Sequence, residues 1–393
     1  MHERAIVIGG GIGGLAAAIA LRRAGFDVAL FEQQSDLRKI QVGGGIHMWA
    51  NAMRALRQLE LAERVTELGA PIDRTEFRTW RGQLLAEWPV GKIAAELGTR
   101  DVGISRAELQ QVLIDAQEDG TVNAGMRCTG FEQDETGVVA KFDGGGEERG
   151  SFLIGADGLR STIRAQLLGT VSPRYARYAQ LQALVDDRAD LLPAGTERVV
   201  FGRGSRAVLH RVGGGRLFWA GALYGPEGMS ALAGGKKQAV LDRFGGWEQP
   251  IEAAVEATPE EAIVAFDIYD RPPVAAWTEG RVTLLGDAAH PMTTNLSQGG
   301  CQALEDAVVL ASILSQERDI RRALQLYDQR RVPRTTKIVK QSHGIAQIGR
   351  LKSAPACAVR DRFLAIALRT VALKDYRRLA AERLDGEAPP VIS

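Results

Sequence analysis

The chain has 393 residues, 45% of them hydrophobic, with 49 Lys and Arg against 48 Asp and Glu. That balance gives no electrostatic footprint for nucleic acid or an anionic membrane, and no window of about 18 uncharged apolar residues is present to span a bilayer. Cys128, Cys301 and Cys357 show no Cys-x-x-Cys spacing, which argues against a structural zinc, a disulfide framework and a redox dithiol.

Residues 5–8 form an apolar run that suits a strand. Gly9-Gly10-Gly11-Ile12-Gly13-Gly14 follows and fits G-x-G-x-x-G through Gly9, Gly11 and Gly14. An alanine-rich helix over 15–24 closes at Gly25. A second strand over 28–31 ends at Glu32, 18 residues after Gly14, near the spacing of a ribose-binding acid. Glycines here let the backbone approach a pyrophosphate at a helix N-terminus. The order predicts a dinucleotide and leaves FAD and NAD both open.

Gly43-Gly44-Gly45 precedes Ile46-His47 and a helix over 51–68. Three adjacent glycines read either as backbone packed close to something flat or bulky, or as a flexible turn. Residues 77–88 read as a hairpin around Arg81-Gly82. Ser105 and Glu108 form a capping box ahead of the stripe Leu109, Val112, Leu113 and Ala116. Arg106 then sits in a first helical turn, where the dipole is positive. An anionic partner, a cofactor phosphate or a carboxylate, would offset this. A solvated surface arginine is the plainer alternative.

Strands are expected over 138–142 and 151–154. Gly155-Ala156-Asp157-Gly158 then places an acid just past a strand end, before a helix start near Thr162. Taken alone, it also reads as an Asp-Gly turn. Between 171 and 275, strands run over 179–185, 197–202, 207–212, 216–224 and 262–269, with a glycine hairpin loop at 213–215 and a helix over 238–244. They predict a mostly antiparallel second layer, which Pro272-Pro273 ends.

Residues 282–285 form another short apolar strand, followed by Gly286 and Asp287. A loop rich in Pro, Thr, Asn and Ser leads to Gly299-Gly300 and a helix with Ala303, Leu304, Ala307, Val308 and Leu310 on its apolar face. In open α/β sheets ligands lie outside the carboxyl ends of strands. An acid placed there accepts from a ribose hydroxyl, and a helix N-terminus aimed at a flavin favours the anionic reduced ring. The bland reading is a capped strand-turn-helix. Segments 323–331 and 334–348 are helical with dense charge, a sign of a solvated face. Residues 362–373 are amphipathic and suit docking on the core better than on a membrane. No internal repeat is evident, and no basic-then-apolar leader precedes the first strand, so a reducing cytoplasmic setting is expected.

Together these residues resemble the single-component FAD-dependent monooxygenases, the para-hydroxybenzoate hydroxylase-like group, over nearly the whole chain. Three fingerprints carry the resemblance: 9–14 with Glu32, GADGLRSTIR at 155–164, and 286–306. Arg106 matches the family's arginine that touches the flavin cofactor. Thr294 and Ser297 depart from it, standing where relatives close in pattern have Pro and Gly. On length, the C-terminal thioredoxin-like domain of larger members is not expected.

The resemblance implies an α/β fold with a Rossmann-like FAD-binding domain (1–72, 101–170 and 276–393), an inserted, mostly antiparallel β-sheet substrate domain (73–100 and 171–275) and C-terminal helices. It implies that NADH or NADPH reduces FAD, that dioxygen adds at the flavin C4a carbon as a hydroperoxide, and that one oxygen passes to an aromatic substrate, phenol-like or polycyclic. A related epoxidase or reductase of an isoprenoid or apolar substrate is the second reading, and a non-catalytic dinucleotide-binding module the third. In the implied site Gly9, Gly11, Gly13 and Gly14 admit the pyrophosphate, and Glu32 holds the adenosine ribose. Gly45 lies beside the cofactor, and Arg106 meets a phosphate or the ring edge. Asp157 orders the phosphate side indirectly. Asp287 binds the ribityl or pyrophosphate region, and Gly299 and Gly300 present N–H groups to the flavin. His47, His210 and Tyr224 are candidate catalytic residues, and His47, Tyr224 and Met292 candidate substrate contacts. A histidine base would help a phenol react as phenolate, while ordinary packing is the alternative for each. No metal, nucleic acid or membrane insertion is expected, and oligomeric state stays open.

Overall fold

The computed structural model describes residues 3–40, 44–188, 191–231, 235–247, 250–382 and 384. Its first layer is a five-stranded parallel sheet in the order Val282–Leu284, Phe152–Gly155, Arg4–Ile8, Asp27–Glu32, Val122–Ala124. The central strands are apolar on both faces, as a sheet covered on both sides requires, and Ile6, Val7, Leu153 and Ile154 are fully buried. Helix Ile12–Arg23 packs against helix Gly299–Gln316 over this sheet. Ala16, Ala17, Ala18 and Ala20 are all buried in the first of these helices. Their small side chains let the two helix backbones come close.

Parallel pairing has one consequence that dominates the site. Ile8 lies opposite Gly155, and Gly155 opposite Leu284. Three fingerprints far apart in sequence therefore leave the sheet side by side at its carboxyl edge.

The second layer is a seven-stranded sheet in the order Val264–Asp270, Arg174–Asp186, Arg216–Tyr224, Ser205–Gly213, Thr196–Phe201, Arg74–Thr79, Leu84–Trp88. Every pair is antiparallel except Thr196–Phe201 with Arg74–Thr79, which is parallel. The expected hairpin thus completes the sheet built mainly from the later insert. Two small antiparallel sheets flank these layers, Gly45–Met48 with Asp101–Ser105 and Ala70–Ile72, and Cys128–Gln133 with Val138–Phe142 and Glu147–Gly150.

Three sequence expectations need correction. The helix expected over 51–68 is two helices, Ala50–Gln58 and Ala62–Leu68. Glu60 takes a left-handed φ of 60°, and the Leu61 amide bonds back to the Leu56 carbonyl at 2.8 Å, the closing bond of a Schellman end. The segments 323–331 and 334–348 are one helix, Ile320–Gly349, running through Pro333. Its charge is not all solvated, because Arg331 is 1% exposed. The amphipathic 362–373 segment divides into the ends of Ala354–Ala367 and Val371–Ala381. This helical hairpin docks on the core: the Trp88 indole N–H donates to the Leu368 carbonyl at 2.7 Å, and Arg54 to that of Ala380 at 2.6 Å. Leu364 is buried, but Phe363, Ile366 and Val371 are exposed. Among the described residues no helix is long and apolar enough to cross a membrane, and Cys128, Cys301 and Cys357 are free and buried.

Candidate active site

At the carboxyl edge of the parallel sheet the glycine loop turns with Gly9 at φ +112°. A side chain at Gly9 would press on the Ala156 carbonyl carbon at 2.6 Å, and one at Gly14 would clash with the Gly9 carbonyl. Gly11 is different. A Cβ there meets nothing within 4 Å, because it opens onto a cavity of about 670 Å³. Gly11 is also the N-cap of Ile12–Arg23 and offers no side-chain cap, so the helix's first N–H groups are left for a ligand. Gly9 and Gly13 line the cavity too, while Gly14 sits beneath the loop.

Glu32 ends the second strand with both oxygens engaged. Oε2 accepts from the Gly10 amide at 2.7 Å and Oε1 from the Gln34 amide at 2.7 Å. Each oxygen keeps a lone pair, and the residue lines the cavity. Sequence reasoning missed Gln110, whose side-chain N–H donates to the Gly10 carbonyl at 2.7 Å and braces the loop from the neighbouring helix. Asp157 Oδ2 accepts from the Thr162 amide at 2.7 Å, so its carboxylate caps helix Thr162–Leu168 beside the cavity. Arg164, from the same fingerprint, donates to the Ala288 and Ala289 carbonyls at 2.8 Å. The middle fingerprint thereby holds the late one in place.

A second cavity of about 1080 Å³ joins the first. Arg106, Asp287, Gly299 and Gly300 border both, so they form the neck. The capping box lies where expected, with Ser105 Oγ accepting from the Glu108 amide at 3.1 Å. Arg106 faces the field of Asp287, while burial opposes the charge of each, lowering the arginine's pKa and raising the carboxyl's. Asp287 is surrounded by protein yet open to the cavity, and it accepts no hydrogen bond from a described residue. A carboxylate in that state fits the hydroxyls of a bound cofactor. Helix Gly299–Gln316 starts here with no side-chain cap. Gly300 is required by closeness, since a Cβ would lie 2.8 Å from Ile46 Cδ1.

The loop into that helix carries both departures from the family pattern. Thr294 Oγ1 donates to Gln180 at 2.6 Å and meets the Tyr178 hydroxyl at 3.1 Å. A proline there has no such bond to give. Ser297 holds φ 53°, ψ 26°, the left-handed region where glycine is at ease. Arg206 adds bonds to the Asn295 side chain at 2.7 Å and carbonyl at 3.1 Å. The loop is thus tied to the seven-stranded sheet by side chains.

Of the candidate residues beyond the neck, Gly45, His47, His210 and Met292 line the large cavity. Gly45 backs onto the Phe218 ring, with a Cβ 2.5 Å from Cγ, so the bulky-neighbour reading describes it. Gly43 lies outside the described residues. Met292 packs with Ile338 and Val339. Tyr224 does not line the cavity. It is buried against Tyr178, ring centroids 4.9 Å apart, on the side of Gly349.

His47 is held between two carboxylates. Nε2 lies 3.0 Å from Asp101 Oδ2 and Nδ1 3.1 Å from Glu197 Oε1. Burial works against the imidazolium, but the two acids prevail and raise its pKa to about 10, while it lowers that of Glu197 to about 2. Burial raises that of Asp101, which the Tyr376 hydroxyl also bonds at 2.9 Å. A cation with both ring nitrogens engaged is not a general base. His210 behaves oppositely: burial lowers its pKa to about 4. Its Nδ1 lies 3.1 Å from the Arg211 carbonyl, which fixes the proton on Nδ1 and leaves Nε2 an acceptor without a partner among the described residues.

Behind the neck lies a buried charge network. Asp306 Oδ2 accepts from the Gly286 amide at 3.0 Å and lies 2.6 Å from His290 Nε2. Arg331 bridges Asp306 and Glu305, at 2.6 Å each. No group of residues fit to hold a metal occurs among the described residues. The polar, glycine-lined cavity, two uncapped helix starts and a carboxylate at the neck that accepts no hydrogen bond from a described residue fit FAD.

Comparison with known proteins agrees with that geometry. A family model described as FAD binding domain matches residues 3–189 and 257–342. The chain is 40% identical over 359 residues to an aurachin C monooxygenase/isomerase of Stigmatella aurantiaca, covering 91% of this chain and 93% of that one. It is 34% identical over 338 residues to a FAD-dependent urate hydroxylase of Klebsiella pneumoniae, covering 86% and 88%. The crystal structure of Klebsiella pneumoniae HpxO complexed with FAD and uric acid superposes with a TM-score of 0.88 at 31% identity, covering 96% of each chain.

Proposed function

The chain belongs to the FAD binding domain family of FAD-dependent monooxygenases, and from that premise we propose that it hydroxylates an aromatic small molecule, phenol-like or polycyclic. Its cofactor is FAD, and enzymes of this class use NAD(P)H. Bound FAD supplies acceptance of the hydride and activation of dioxygen. The protein's part is to position, to shield and to place charge. We place it in the cytoplasm, where NAD(P)H is at hand and its three free cysteines stay reduced.

One observation carries this reading. A glycine-lined polar cavity meets a larger, aromatic-walled one at Arg106 and Asp287. Arg106 and Asp287 would hold the cofactor at that neck. The amides at the start of Gly299–Gln316 would favour negative charge on it. Phe77, Trp88, Phe201 and Phe218 line the larger cavity; they seat a ring and keep water away. His210 Nε2 accepts a hydrogen bond from a ring hydroxyl of the substrate and orients it.

The test is an anaerobic screen of flavin reduction by NADH and NADPH with phenols, hydroxyquinolines and purines. A ring compound is expected to accelerate reduction and, with air admitted, to yield a product heavier by one oxygen. Oxygenation of acyclic alkenes alone would favour the epoxidase reading instead.

A further inference from the structure

The larger cavity extends well past the part a ring would fill. Its volume of about 1080 Å³, part of which the flavin would take at the neck, lies just above the range of roughly 300 to 1,000 Å³ that holds a drug-sized ligand. From the neck it runs under the seven-stranded sheet, past Ile348 of helix Ile320–Gly349, and reaches the C-terminal helical hairpin, where Leu364 and Leu379 line it. Phe363, Ile366 and Val371 line it as well, although they are 62%, 68% and 64% exposed. The same three side chains are therefore wall and surface, which makes the hairpin the cavity's mouth.

Near the neck stand Arg106, Asp287, Gln298 and Asn295, with His210 deeper in. At the hairpin end the polar groups are already paired. Gln341 and Lys337 bond Asp375 at 3.0 and 2.9 Å, and Tyr376 bonds Asp101. An apolar channel that ends in exposed apolar side chains matches a ligand polar at one end and apolar along the rest. Exposed apolar groups of this size, set together, mark a contact site.

We propose that the substrate carries a long apolar tail, of alkyl or prenyl type, on its aromatic head, and that the tail lies along the far cavity and emerges between Ala354–Ala367 and Val371–Ala381. This rests on reading the large cavity as the substrate site. The tail covers the patch because the patch continues the cavity wall. Residues 351–380 hold Lys352, Arg360, Arg362, Arg369, Lys374, Arg377 and Arg378 against Asp361 and Asp375, so an anionic bilayer is the rival occupant. A second copy of the chain is the other.

The experiment measures binding of para-alkylphenols, from methyl to octyl, to the FAD-loaded protein by the shift in flavin absorbance. Affinity should rise about twofold to fourfold with each added methylene, and Ile366→Asp should flatten that slope. Val171→Asp, at an exposed apolar residue outside the mouth, serves as a control and should keep the slope. A flat slope in the parent protein overturns the proposal. So does a slope untouched by Ile366→Asp and Val371→Asp together. A flat slope with Ile366-dependent pelleting on phosphatidylglycerol vesicles, or with dimers that Ile366→Asp dissociates, assigns the patch to a bilayer or to a second copy. The readout is binding, so a steep slope without hydroxylation would count against the proposed function alone.

Discussion

At the residue scale, two buried histidines show how environment sets chemistry. His47 and His210 have ring centroids 6.3 Å apart and are shifted in opposite directions. His47 pairs with two acids, so removing it leaves Asp101 and Glu197 without a cation in a buried space. His47→Gln should cost about 3 to 5 kcal/mol of stability in denaturant unfolding, and Glu197→Gln in the same chain should recover part of it. The pH dependence follows from the shifts. His47 has its pKa raised from 6.5 to about 10, so its contribution is full below pH 6.5 and is lost as pH rises through 10. Glu197 has its pKa lowered from 4.5 to about 2, so its contribution is present above pH 4.5 and is lost as pH falls through 2. The alkaline loss should be smaller in His47→Gln than in the parent. His210, whose pKa burial lowers to about 4, is neutral at pH 7, and His210→Phe should lower kcat/KM for a ring hydroxyl substrate by about tenfold; an unchanged value removes it from the site. Ser297 offers a backbone test. Its left-handed φ of 53° costs an L-residue about 1 kcal/mol, so Ser297→Gly should stabilise by about that amount. A loss of stability would mean that the side chain does something not visible in its contacts.

At the scale of elements, the neck depends on strand ends and helix starts meeting. Asp287 leaves Val282–Leu284 just as Gly299–Gln316 begins across from it, and Gly286 is fixed by the Asp306 carboxylate at 3.0 Å. Asp287→Ala should purify with depleted flavin and bind FAD about 10- to 100-fold more weakly, the loss of charge-assisted hydrogen bonds. Full occupancy and ordinary reduction kinetics would remove Asp287 from the cofactor site. The glycine loop and the capping box at Ser105 were legible in the sequence because each is written within a few residues. Arg331 was not. Its helix carries charge along much of its length, and the groups that hold Arg331 inside, Gln302, Glu305 and Asp306, lie 29, 26 and 25 residues earlier. The hairpin end was half legible. Periodicity found the apolar residues of 362–373, but burial of Leu364 and exposure of Phe363 and Ile366 depend on the cavity they border.

At the scale of the whole molecule, function comes from two layers meeting at an edge. The parallel sheet brings 9–14, 155–158 and 286–287 together by register alone. The alternation of short strands and turns marked five strands of the second layer, and the parallel pairing of Arg74–Thr79 with Thr196–Phe201 joined to it a hairpin far earlier in the chain. The partners that hold His47 could not be read from sequence, because Asp101 and Glu197 lie 54 and 150 residues away. Tyr224 shares a strand face with Phe218, Ala220 and Ala222, which line the cavity, but stands at the strand's end against Tyr178 and Gly349, a position along the strand that alternation does not reveal. The central claim is that this assembled edge puts one atom of dioxygen into an aromatic substrate. The most direct measurement is turnover of the FAD-loaded enzyme with NAD(P)H under labelled dioxygen, with the product read by mass spectrometry. One labelled oxygen in the product is the predicted result, and a product carrying only oxygen from water would contradict it.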